Sequence, residues 1–109
     1  MSSFDEREKG FENKFAHDAQ MQFKAEARRN KLLGLWAAGK MGMMNPDEAM
    51  AYAQEVVKAD FEEAGDEDVF RKVEGDLKAK GAEYTETEIR EHMAKFLAEA
   101  KAQLMEETD

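Results

Sequence analysis

Hydrophobic positions recur at helical spacing along most of the chain, and they predict four helices after a short N-terminal segment. The helices are expected over residues 16–39, 46–64, 67–80 and 86–106. A single proline and few β-branched residues argue against a sheet. Short polar turns between these segments predict an all-α protein, a small four-helix bundle occupying residues 16–109.

The first helix is the one around which the others are arranged. Ala19, Phe23 and Ala27 continue the four-residue spacing set by Phe15, so the preceding segment and this helix can form one rod. Further on, the apolar face broadens almost all round the helix, as expected where a helix becomes central to a bundle. The broad region comprises Leu32, Leu33, Leu35, Trp36 and Ala37.

Capping residues mark the ends of the helices. Asn45 before Pro46 predicts one N-terminus, Asp66 another, and Thr85 with Glu88 a third. Glycines predict the stops, at Gly39 with Gly42, at Gly65 and at Gly81. The expected buried positions of the last three helices are Ala49, Ala53, Val56, Val57, Phe61, Val69, Phe70, Val73, Leu77, Ile89, Met93, Phe96, Leu97, Ala100 and Leu104, with Met41, Met43 and Met44 closing one end of the core.

Residues 1–15 form a charged segment that carries three phenylalanines at helical spacing: Phe4, Phe11 and Phe15. Gly10 costs about 1 kcal/mol relative to alanine in a helix interior. So few apolar groups cannot offset the ordering entropy of the segment. We therefore expect a mobile amphipathic arm that becomes helical when a partner covers its phenylalanines. The alternative is an N-terminal turn packed on its own body.

The charge of the chain is unevenly distributed. The net charge of −9 disfavours a nucleic-acid partner, yet residues 19–40 carry five basic and one acidic side chain. Residues 41–109 carry eight basic and nineteen acidic side chains. The long helix is thus a basic strip against an acidic body, and it either complements the other helices or contacts a partner. Its densest basic cluster is Lys24, Arg28, Arg29 and Lys31.

The sequence offers little catalytic chemistry. It has no cysteine, and no phosphate-binding loop or serine elbow is visible. His17 and His92 are far apart, and we expect the pair formed by Glu88 and His92 to be solvated on a charged surface. These observations argue against an enzyme and against a metal site. No apolar run reaches the roughly 20 residues of a membrane span, and we interpret the chain as cytoplasmic.

Several blocks of the chain together resemble the zeta subunit, the small inhibitor of the rotary F-type ATP synthase of alphaproteobacteria. They are FDERE at 4–8, FAHDA at 15–19, AEARRNKLLG at 25–34, WAA at 36–38, ADFE at 59–62 and GDEDV at 65–69. The resemblance implies a four-helix body and a mobile N-terminal segment that enters the catalytic head between catalytic and non-catalytic subunits, against the rotor. A helix inserted there would act as a wedge that stops rotation in the direction of ATP hydrolysis.

In this interpretation the protein is a non-catalytic inhibitor, peripheral to the membrane through the ATP synthase and without direct membrane insertion. The expected partner-binding residues are Phe4, Arg7, Lys9, Phe11, Lys14, Phe15, Asp18 and Phe23, with Lys24, Arg28, Arg29 and Lys31 as a possible basic contact strip. Two alternatives stay open. One is a generic helical interaction or assembly module. The other is a regulatory protein that binds nucleotide weakly near Arg28, Arg29 and Lys31, although no cofactor is otherwise expected.

Overall fold

The computed structural model describes residues 19–59 and 66–107, and these form four α-helices with no strand among them. The helices are α1 (Ala19–Lys40), α2 (Pro46–Ala59), α3 (Glu67–Ala79) and α4 (Glu86–Glu107). The predicted all-α, four-helix architecture is confirmed. The arm at residues 1–15, together with Phe61 and Gly65, lies outside the described residues. Within the described ranges, no helix is long and apolar enough to cross a membrane.

Side-chain caps begin α2 and α4 where the sequence predicts them. The amide of Asp47 donates to Asn45 Oδ1 at 2.8 Å, and the amide of Glu88 donates to Thr85 Oγ1 at 3.0 Å. Each bond satisfies one of the amides that a helix N-terminus leaves without an intrahelical acceptor. The carboxylate of Glu88 itself pairs with Lys40 at the end of α1, so this start is also tied to another helix.

The third described helix, α3, begins at Glu67 as predicted, but its capping hydrogen bond differs from the prediction. Asp66 occupies the N-cap position but makes no capping hydrogen bond with its side chain. Its carboxylate instead lies 2.9 Å from Nη1 of Arg29, on α1. The predicted side-chain cap is therefore wrong, because a long-range ion pair with a buried guanidinium takes the carboxylate that local geometry would have used.

Two glycines with positive φ end α1 and α3. Gly42 has φ +80° and Gly81 has φ +70°, a conformation that other residues rarely adopt. Beyond α1 the amide of Met43 donates to the carbonyl of Ala38 at 3.0 Å, and that of Gly42 to Gly39 at 3.1 Å. This paired arrangement is the Schellman motif, and it is repeated at Gly81. Gly39 itself lies inside α1 and is exposed.

The core forms around α1, which packs most extensively against α2 and α4. Every apolar position predicted for the inner face of α3 is buried, and α4 buries Ile89, Met93, Ala100 and Leu104. Tyr52 on α2 is a core residue that the sequence pattern missed. Met41 and Met43 pack on the core as expected, but Met44 is 93% exposed, so its predicted place there is wrong. The turn after Gly42 points it outward.

Gly34 sets how closely α1 and α2 approach. A Cβ atom at this position would lie 2.7 Å from the Cα of Ala53 and 3.2 Å from a methyl of Val56. Real Cβ atoms essentially never come that close to backbone, so the two helices cross at a distance that only glycine allows. The crossing places the N-terminal half of α1 beside both α2 and the end of α4.

Candidate partner-binding groove

A groove of about 620 Å³ runs along the N-terminal half of α1, between α2 and the C-terminal end of α4. We call it the α1 groove. Three helices contribute to it, so its shape depends on the whole bundle rather than on one element. It is lined by Met21, Phe23, Lys24, Ala27, Arg28, Lys31, Gln54, Val57, Leu104 and Glu107.

The floor of the α1 groove is apolar. Met21 and Leu104 are buried there and belong, with Ala25, to a small core cluster separate from the main one. Phe23 stands at the side of the groove with 52% of its surface exposed, unusual for so large an apolar residue. The groove therefore offers apolar surface next to solvent.

The rim of the α1 groove is basic. Arg28 makes a bidentate ion pair with Glu107, with Nη1–Oε1 at 2.8 Å and Nη2–Oε2 at 3.0 Å. The hydrogen bond from Arg28 holds the pKa of the Glu107 carboxyl below its ordinary value, and the charges of Arg28 and Lys24 act in the same direction. Lys24 and Lys31 are exposed, and no carboxylate of the described residues forms an ion pair with either.

Arg29 does not share this surface. Its side chain is only 2% exposed, its Nε donates to Asn30 Oδ1 at 2.9 Å, and its Nη1 pairs with Asp66. The structure thus brings three members of the predicted basic strip to one groove and places the fourth inside the body. A buried guanidinium whose planar group is held by an ion pair and a hydrogen bond has a structural role. The prediction that Arg29 belongs to a basic contact strip is therefore wrong.

The sequence does contain a signal for the burial of Arg29. It stands four residues after Ala25 and four before Leu33, and both are fully buried. The residues at this spacing, all on the inner face of α1, are Met21, Ala25, Arg29, Leu33 and Ala37. A stripe interrupted by one arginine is easily taken for the outer face, because arginine is mostly exposed in proteins.

The other four-residue stripe on α1 faces outward. Ala19 and Phe23 are exposed and Ala27 is half-buried. This stripe is the one that continues the spacing of Phe15 in the sequence. The remaining predicted partner-binding residues lie outside the described residues; they are Phe4, Arg7, Lys9, Phe11, Lys14, Phe15 and Asp18.

His92 lies in a stack of rings rather than on a solvated surface. Its ring is stacked on Trp36, with centroids 4.2 Å apart and planes inclined by 19°, and Phe96 adjoins it at 5.6 Å. Its Nδ1 lies 2.8 Å from the carbonyl of Glu88, so the expectation of a solvated pair is wrong. Across residues 19–59 and 66–107, no group of His, Cys, Asp or Glu side chains is placed to hold a metal ion.

Comparisons with known proteins cover nearly the whole chain. The model of the family described as ATPase inhibitor subunit zeta matches residues 1–103, a range that includes the arm and all but the end of α4. A protein structure solved in solution by NMR is 63% identical, with a TM-score of 0.70; the match covers 80% of this chain and 98% of that chain. No curated protein matches.

Proposed function

The chain belongs to the family of ATPase inhibitor zeta subunits, and from that premise we propose that its own N-terminal segment forms a helix that blocks ATP hydrolysis by an F-type ATP synthase. In this proposal residues 1–18 become helical when they bind, and they lengthen α1 at its N-terminal end. They lie between catalytic and non-catalytic subunits of the head, against the rotor. At 1.5 Å per residue such an extension is about 27 Å long, and its diameter of about 10 Å makes it an effective wedge.

The observation that carries the proposal is the division of α1 into two faces. The inner stripe, which includes Ala25 and Leu33, is fully buried in the bundle. The outer stripe, which includes Phe23, stays at the surface. Its four-residue spacing continues back through Phe15 to Phe11, and Phe4 follows seven residues earlier, about two helical turns. An apolar stripe continuous with an exposed face of α1 supports an arm whose aromatic anchors serve a partner.

The charged residues of the arm have a separate role in this proposal. Arg7, Lys9 and Lys14 would pair with acidic groups of the head, which mainly raises the association rate and specificity. Asp18 and Phe23, at the junction with α1, would contact the entrance of the cleft. The body would remain outside the head on its cytoplasmic side, and it would contribute no catalytic group.

Truncation tests the proposal directly. Removing residues 1–15 is expected to abolish inhibition of ATP hydrolysis by the purified head, because the aromatic anchors are lost. The melting temperature should change by only a few degrees, since the deleted residues precede α1. The assay should follow hydrolysis and synthesis separately.

Two full-length variants test whether inhibition depends on the phenylalanines of the arm or on exposed apolar side chains in general. Replacement of Phe4, Phe11 and Phe15 by serine should weaken inhibition strongly, whereas Met44→Ser should not, because Met44 is 93% exposed and far from the arm in sequence. Full inhibition by the truncated protein would refute the arm mechanism.

Two other functions are distinguished by simple measurements. Isolation of the ATP synthase head with the tagged protein favours the inhibitor over a generic helical interaction module. Titration with ATP while Trp36 fluorescence is followed tests weak nucleotide binding. The expected place of weak nucleotide binding is near Arg28, Arg29 and Lys31. Arg29 is buried and Arg28 is paired with Glu107, so among the described residues only Lys31 of these three has no ion pair with a carboxylate.

A further inference from the structure

We propose that the α1 groove is a second attachment point, which binds an acidic amphipathic helix of the ATPase that this chain inhibits. The inference rests on the proposed function for the identity of the partner. It goes beyond that function because it assigns a binding role to the folded body in addition to the arm. The occupant is defined by its chemistry: an apolar stripe along one side and carboxylates two helical turns apart.

The shape of the groove suits a helix. Its lining extends along α1 from Met21 to Lys31, which is about 15 Å at 1.5 Å per residue and long enough for two to three turns of a partner helix. Met21 and Leu104 form its apolar floor, and Phe23 provides an exposed aromatic wall. A partner helix that sets an apolar stripe into such a groove covers surface that is otherwise in contact with water.

The charge of the groove selects an acidic occupant. Three basic side chains and one acidic side chain line it, in a chain whose net charge is −9. Glu107 forms an ion pair with Arg28, and its pKa is also lowered by the charge of Lys24. Neither Lys24 nor Lys31 forms an ion pair with a carboxylate of the described residues. These two lysines are seven residues apart on α1, which places them on one face about 10 Å apart along the axis.

Carboxylates seven residues apart on a partner helix would match this spacing. A small anion fits less well, because a phosphate would leave the apolar floor and Phe23 uncovered. The groove also lies at the end of α1 that adjoins the arm. A partner that receives the arm is therefore close enough to contact the groove at the same time, and two linked contacts raise the overall affinity.

The first experiment compares two doubly charge-reversed variants of the full chain. Lys24→Glu with Lys31→Glu alters the groove. Lys58→Glu with Lys78→Glu is the control, since both residues are exposed, lie outside the groove and have no ion pair among the described residues. Binding to the purified ATP synthase head is measured by titration, and melting temperatures verify folding.

The groove variant is expected to bind roughly tenfold more weakly than the control variant, since two attractive charges become repulsive. Its affinity should also fall less steeply with added salt than that of the wild type. Equal affinities of the two variants, with a wild type that inhibits, would overturn the groove proposal and leave the proposed function standing. A wild type that neither binds nor inhibits would overturn both.

A cross-linking experiment identifies the occupant. Because the chain has no cysteine, Gln54→Cys introduces a single thiol at the groove, and Ala102→Cys introduces one at an exposed position outside it. A photo-reactive label at position 54 should attach to an acidic segment of the purified head, recovered as a peptide by mass spectrometry. Attachment to a basic segment, or the same peptides from both labels, would contradict the proposal.

Discussion

Arg28 and Arg29 are neighbours in sequence and occupy opposite environments. The side chain of Arg28 is 29% exposed and pairs with Glu107 at the rim of the groove, whereas that of Arg29 is 2% exposed and pairs with Asp66 across the bundle. The guanidinium of Arg29 also donates to Asn30, whose side chain is fully buried. The role of each arginine follows from its position on the helix and not from its charge.

Alanine substitution distinguishes these two roles. Arg29→Ala is expected to lower the free energy of unfolding by about 2–3 kcal/mol, because it leaves a cavity and removes a buried hydrogen bond to Asn30. Arg28→Ala should lower it by less than about 1 kcal/mol, as is usual for exposed ion pairs. Urea denaturation measures both values. Equal effects would contradict the distinction between a structural arginine and a surface arginine.

Gly34 provides a second test at the same scale. Gly34→Ala is expected to destabilise the protein by about 1 kcal/mol or more, because its Cβ would press on the backbone of Ala53. The cost of the clash, up to about 3 kcal/mol, outweighs the gain of up to about 1 kcal/mol in helix propensity.

Gly75 on α3 serves as the matched control for that substitution. It lies inside a helix, is exposed, and has nothing within 4 Å of an added Cβ. Gly75→Ala should therefore stabilise the protein by about 0.5–1 kcal/mol. If thermal unfolding showed the same sign for both substitutions, the close helix crossing would be disproved.

At the scale of the helices, ion pairs join elements that are distant in sequence. Glu107 on α4 pairs with Arg28 on α1, and Glu67 on α3 pairs with Arg90 on α4 at 3.2 Å. Between α2 and α3, the hydroxyl of Tyr52 donates to Asp76 at 2.9 Å. Burial raises the pKa of this phenol, and the hydrogen bond to Asp76 adds to the effect.

The pairs with arginine predict loss of stability in acid. Hydrogen bonds from Arg28 and Arg90 hold the pKa values of Glu107 and Glu67 below their ordinary value of 4.5. A carboxyl whose pKa is depressed in the folded state contributes stability above its unfolded pKa, and this contribution is lost as the pH falls through the folded value. The melting temperature should therefore decline below about pH 4.5.

Glutamine substitutions test whether the ion pairs cause the loss of stability in acid. Glu107→Gln should lower the melting temperature at pH 7 and flatten its decline in acid, because the variant has no carboxyl to protonate there. The neighbouring Glu106→Gln is the control, since Glu106 is exposed and has no ion pair among the described residues. An unchanged acid profile for Glu107→Gln would show that this pair does not contribute.

Local signals in the sequence predict the first residues of α2, α3 and α4, but they do not predict a capping hydrogen bond that a distant contact prevents. Asn45 and Thr85 cap helices as expected, and Gly42 and Gly81 end them, because each needs only its own turn. Asp66 departs from this pattern because Arg29 takes its carboxylate. The sequence around Asp66 cannot predict that contact, because Arg29 lies on a different helix.

The candidate groove was predictable only in part. Phe23 and three of the four basic residues are recognisable from sequence as surface features of α1. These residues line one groove with Gln54, Val57 and Leu104 only because of the way in which α1, α2 and α4 pack. Periodicity describes one helix at a time, so it gives the faces of α1 without saying which neighbour each face will meet.

At the scale of the whole molecule, positive charge is concentrated on α1 and negative charge on the rest. Residues 41–109 carry nineteen acidic and eight basic side chains, whereas α1 carries one acidic and five basic. Part of the attraction is used within the bundle, through Arg28, Arg29 and Lys40. Lys24 and Lys31 remain exposed, and they would orient the molecule in the field of the acidic partner proposed for the α1 groove.

The central position of α1 has a mechanical consequence. In the proposed function the arm continues α1 as a helix, so a force on the arm would enter the body along the axis of its most extensively packed helix. Such a load acts as shear along contacts with α2 and α4, which resist it together, rather than peeling them apart one by one. Under that proposal, a rotor that pushes against the arm would meet the resistance of the whole bundle, including the tight crossing of Gly34 and Ala53.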